Sequence, residues 1–63
     1  MNKHYFEALA DAAEFQARSY ECEARACKIN GESRREKFYI ELAESYRESS
    51  ASYQCMANEY DKG

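Results

Sequence analysis

Four side chains in this 63-residue chain have the chemistry of a metal site: His4, Cys22, Cys27 and Cys55. Imidazole and thiolate are the usual zinc ligands, and four of them make a closed structural site. Their spacing, however, matches no zinc motif. Cys22 and Cys27 fall on one helical stretch, about 7.5 Å apart along its axis and turned to different faces. That suits neither a shared ion nor a disulfide. If the chain turns back near residue 31, Cys55 comes level with about Ala8, roughly 14 residues or 20 Å from Cys22. Ligands that must all lie about 2.0–2.3 Å from one ion cannot bridge that gap. No metal and no cofactor is expected, and the thiols read as small core hydrophobes. Three cysteines, an odd number, point to a reducing, cytoplasmic setting.

The tyrosines are the second chemical feature. Tyr39, Tyr46, Tyr53 and Tyr60 recur every seventh residue, with Leu42, Ser49 and Met56 between them. Steps of three and four place all seven on one face of a helix, as an a/d seam with Tyr at each a position. A phenol becomes a nucleophile only with a base or metal beside it, and no such motif accompanies these four. Walker loops, Gly-rich fingerprints and Ser/His/Asp arrangements are also missing from the sequence, so an enzyme is not expected. Tyrosine instead offers an apolar ring with a polar tip, which suits the wet edge of a core, a self-interface or a face for a different protein.

The third feature is charge. Arg25, Lys28, Arg34, Arg35 and Lys37 gather around the predicted turn, and Glu7, Asp11, Glu59 and Asp61 gather at the other end. Arg34, Arg35 and Lys37 also sit at the positive end of a helix dipole, a locally unfavourable place. A broken local rule of this kind can mark a functional site. The basic tip is either a solvated end, a patch for charge pairing between subunits, or a contact for an acidic partner or phosphate.

Two helices must position these groups. Residues 1 to 3 are expected to fray, and nothing breaks a helix from about His4 to Ile29. One apolar line on it runs Tyr5, Ala8, Ala12, Phe15, Ser19, Cys22, Ala26, Ile29. A second runs beside it through Phe6, Leu9, Ala13, Ala17, Tyr20, Ala24 and Cys27. Together they span a sector of about 200°, where a helix packed on one neighbour needs little more than about 100°. Glu14–Arg18 and Glu21–Arg25 are i,i+4 pairs in the favourable order. Asn30-Gly31 ends the helix, and Ser33-x-x-Glu36 matches a capping box that opens a second helix over about 34–60. A turn of about 30–33 is short enough to make the helices antiparallel neighbours.

Composition agrees. Proline is absent, glycine occurs twice, and strong helix formers dominate. A chain of this length is one domain at most and marginal alone, so oligomerisation is expected to complete its core. The net charge of -3 and pI near 5.1 lack the basic footprint of a nucleic-acid binder. No apolar run approaches the roughly 18 residues of a membrane span, and Glu7 and Asp11 interrupt any signal-peptide core.

The length, the regular two-helix pattern and the mild acidity resemble the small all-helical accessory proteins encoded in early regions of lambda-like phages, some of them dimers. The resemblance implies a protein that modulates host or phage development by binding other proteins. The expected fold is an all-α, two-helix antiparallel hairpin that homodimerises into a four-helix bundle. Its core and interface are expected to draw on Leu9, Phe15, Tyr20, Phe38, Tyr39, Leu42, Tyr46, Tyr53, Met56 and Tyr60. The expected function is a small non-enzymatic protein–protein interaction module. The rival readings are a nucleic-acid-associated regulator using the basic turn, and a redox or metal sensor using the cysteines.

Overall fold

The computed structural model describes residues 2–60 in full and the backbone of 61–62. Helix α1 covers Lys3–Ile29 and helix α2 covers Ser33–Lys62, packed side by side as a hairpin measuring 50 × 13 × 12 Å. Against the expectation that residues 1 to 3 fray, Asn2 and Lys3 take part in the start of α1, while Met1 lies outside the described residues. Asn2 sits in extended conformation, and its side-chain oxygen accepts a hydrogen bond from the Tyr5 N–H at 3.1 Å. An Asn cap of this kind stabilises a helix by typically about 1 kcal/mol.

The turn is built as the Asn30-Gly31 pair predicts. Gly31 adopts a left-handed φ of 76°, a conformation that costs other residues strain. The Glu32 N–H bonds the Cys27 carbonyl at 2.8 Å and the Gly31 N–H bonds the Lys28 carbonyl at 3.2 Å. This is the Schellman arrangement, which satisfies carbonyls left open at a helix end. The first bond of α2 runs from the Glu36 N–H to the Glu32 carbonyl at 2.9 Å. That N–H is the one a capping box would give to the Ser33 hydroxyl. Helix α2 therefore starts one residue earlier than the box implies, with Glu32 in the cap position.

The line between the helices consists of small residues. Ala10, Ala13, Ala17, Ala24 and Cys27 of α1, with Ala43 and Ala57 of α2, are its buried members; Ala17 and Ala57 are 0% exposed. Half-buried Phe6 and Tyr20 extend the α1 line, and Glu36, Tyr39, Tyr46, Ser50 and Tyr53 extend that of α2. Both lines keep 3-4 spacing. The tyrosines hold the seam, but the residues that turn inward with them are Ala43, Ser50 and Ala57, one position past Leu42, Ser49 and Met56. Alanines let the backbones approach, and Tyr20, Tyr39 and Tyr46 meet across the seam as near-parallel rings.

Candidate functional site

Ring contacts grow from this spacing. Tyr20 of α1 lies between Tyr39 and Tyr46 of α2, with centroids 5.8 Å and 5.6 Å away and rings near parallel, at 17° and 22°. Two tyrosines seven residues apart on one helix thus clasp a third from the other. At the open end, Phe6 stacks on Tyr60 at 5.5 Å. Two polar bonds also cross the seam. The Ser50 hydroxyl donates to the Ala10 carbonyl at 2.9 Å, and Arg47 pairs with Glu21. Glu21 thereby reaches across to α2 instead of to Arg25, whereas the Glu14–Arg18 pair forms within α1 at 3.3 Å.

The two flanks of the seam differ in chemistry. Glu14, Glu21, Arg47 and Gln54 border one side, where the Glu21–Arg47 pair forms. Leu9 and Gln16 of α1 and Ser49 of α2 border the other, as walls of a shallow groove of about 200 Å³ that also touches Ala12, Tyr46 and Tyr53. At heptad spacing, Leu42 and Met56 continue the row of Ser49 along this flank, and Phe38 stands just outside it. Leu9 and Leu42 are half-buried, while Phe38 and Met56 are 56% and 42% exposed. The sequence-predicted set therefore divides. Tyr20, Tyr39, Tyr46 and Tyr53 belong to the hairpin core, Leu9, Leu42, Phe38 and Met56 belong to its open apolar flank, and Tyr60 caps the open end. Phe15 is in neither group. It is 75% exposed on the outer row with Ala8, Cys22 and Ile29, about half a turn from the seam, so it is not part of the hairpin core.

Arg25, Lys28, Arg34, Arg35 and Lys37 are all exposed around the turn. Half-buried Glu32 and Glu36, which the sequence reading of a basic tip left out, lie among them. Glu32 pairs with Arg35 at 3.4 Å. A hydrogen bond to Tyr39 and the charge of Glu32 hold the Arg35 guanidinium above its ordinary pKa. The tip is thus a mixed patch in which part of the positive field is answered within the chain. At the opposite end, Glu7 pairs with His4 at 3.2 Å; the Asp61 side chain falls outside the described residues.

All three cysteines are free, with Cys22 and Cys55 exposed and Cys27 buried beside the turn. Burial pushes the Cys27 thiol above its ordinary pKa, and the Glu32 carboxylate adds to the effect. Among the described residues, no three His, Cys, Asp or Glu side chains converge as a metal site, and no helix is long and apolar enough to cross a membrane. What the arrangement offers is a surface: an apolar flank some tens of ångströms long, bounded by charge. No family model, curated protein or solved structure matches this chain.

Proposed function

We propose that this protein is a small, non-enzymatic protein–protein interaction module that works in the cytoplasm as a pair of hairpins forming a four-helix bundle. The observation that carries the reading is the open flank of Leu9, Leu42, Phe38 and Met56 beside a core whose buried residues are alanines and Cys27, with the tyrosines only half-buried. Such a core buries little apolar area, and a second hairpin would supply the rest. Area supports the same reading. A compact monomer of 7.4 kDa exposes about 4,200 Å², and the hairpin exposes 4947 Å². The excess is of the order of the ~800 Å² that each partner buries in a stable interface. On the likeness of the whole chain to phage accessory proteins, the module modulates host or phage development by contact with other proteins. Sedimentation equilibrium at micromolar concentration tests the reading: a mass of two chains is expected, and a stable folded monomer would overturn it.

A further inference from the structure

We infer that Asn30 is a site of spontaneous covalent modification: its side-chain amide is lost to attack by the Gly31 nitrogen when the turn opens, and the closed turn holds the reaction off. Water is the only co-reactant. The site is the same whether or not hairpins pair.

The chemistry is that of an asparagine followed by glycine. A base takes the Gly31 amide proton. The nitrogen left behind bonds to the Asn30 Cγ, and the side-chain nitrogen departs as ammonia, leaving a cyclic imide. Water then opens the imide at either carbonyl. One opening gives aspartate; the other gives isoaspartate, with the main chain rerouted through the side-chain carbon. The net change is amide plus water to acid plus ammonia, with nothing oxidised or reduced. Glycine obstructs this attack least, because it has no Cβ. Asn2 precedes Lys3 and Asn58 precedes Glu59, so only Asn30 has a glycine after it. Both Asn30 and Gly31 are exposed, and water and base can reach them.

The fold sets the timing. Ring closure requires the Gly31 nitrogen to eclipse the Asn30 Cβ along the Cα–C bond. In the hairpin the Asn30 ψ is 1°, which eclipses that nitrogen with the Asn30 backbone nitrogen instead. The tetrahedral Cα then holds Cβ about 120° away. The Gly31 N–H is also tied down, donated to the Lys28 carbonyl at 3.2 Å, and the Glu32 N–H fixes the next link on the Cys27 carbonyl at 2.8 Å. Reaching the reactive geometry means breaking the Schellman turn, so the rate follows the fraction of time the turn is open. The product cannot rebuild what it left. Either acid sets a carboxylate at the negative end of the α1 dipole, beside half-buried Glu32. Isoaspartate also adds a backbone atom inside the loop that both turn bonds close, and they lose register.

Incubating the full chain at mildly alkaline pH, with and without guanidinium chloride, tests the site and its gating. Peptide mass spectrometry reads the exchange of amide for acid, and a methyltransferase specific for isoaspartate reads the rerouted product. Both products are expected at Asn30, with Asn2 and Asn58 left intact, and the native chain should react slower than the denatured one by roughly tenfold or more. Equal rates in the native and denatured chain would overturn the gating. Conversion of Asn58 as fast as Asn30 in denaturant would overturn the site. Gly31→Ala checks the nucleophile: in denaturant, where the turn no longer matters, the added Cβ should slow conversion severalfold, and an unchanged rate would overturn the part given to the Gly31 nitrogen. The isoaspartate form, separated by ion exchange, should melt below the unmodified chain, and equal melting would overturn the damage to the turn. None of these readouts depends on dimer mass, so their failure leaves the proposed function standing, and a wild-type monomer leaves this site standing.

Discussion

Gly31 shows how one residue sets the course of the chain. Its φ of 76° lies where an L side chain is strained, yet a Cβ built there meets nothing within 4 Å. The cost of Gly31→Ala is therefore backbone strain alone, about 1–2 kcal/mol. Thermal or urea melts should find a loss in that range, with Gly31→Asn milder because Asn tolerates the left-handed region. Cys27 offers a pH prediction. Its thiol is held above the ordinary pKa by burial and by Glu32. The unfolded chain therefore ionises this thiol before the folded one does. Stability is unaffected below the usual thiol range, falls as pH rises through it, and levels off above the folded pKa. Melts between pH 7 and pH 10 should show a steeper decline for the wild type than for Cys27→Ala. Equal slopes would show that the folded thiol ionises freely. Alkylation should follow the same order, with Cys22 and Cys55 reacting well before Cys27.

The tyrosine clasp is the distinctive feature at the scale of elements. Offset aromatic pairs contribute about 0.5–1.5 kcal/mol beyond their buried area. A double-mutant cycle with Tyr20→Leu and Tyr46→Leu should return a coupling in that range, and a coupling near zero would mean that the rings only share space. Much of the helix plan was legible beforehand, because Asn30-Gly31 admits one physical use and uninterrupted helix formers admit one secondary structure. The register was legible only in part. Tyrosines every seventh residue fit a seam whether the inward neighbour comes three or four residues on. Bulk favours Leu42 and Met56, but close approach of two helices favours Ala43 and Ala57, and the choice depends on what the other helix brings. On α1 the same competition set an alanine line inside and the line with Phe15 outside. The Glu21–Arg47 pair was invisible for the same reason, since local spacing offers Arg25 and only the fold offers Arg47. As for the candidate site, the basic residues could be read from sequence, whereas the half-buried Glu32 and Glu36 among them depended on the shape of the turn.

At the scale of the whole molecule, a hairpin 50 Å long and 13 × 12 Å in section has no deep interior, and its contacts are ordered along one axis by sequence separation. That ordering gives the Schellman turn a role in time. Closing a loop costs more entropy the longer it is, so contacts next to the turn are the cheapest to make first. Assembly should start where the Glu32 N–H meets the Cys27 carbonyl and run outward through the Tyr20 clasp, with Phe6 and Tyr60 joining last. Stopped-flow kinetics can read this direction. Gly31→Ala should lose its stability mainly as slower folding, and Phe6→Ala mainly as faster unfolding, as expected for early and late contacts respectively. The reverse pattern would place the nucleus at the open end. If the closure runs from the turn, the hairpin behaves as a zipper with a built-in starting end, and its open apolar flank is complete only after the last tooth has closed.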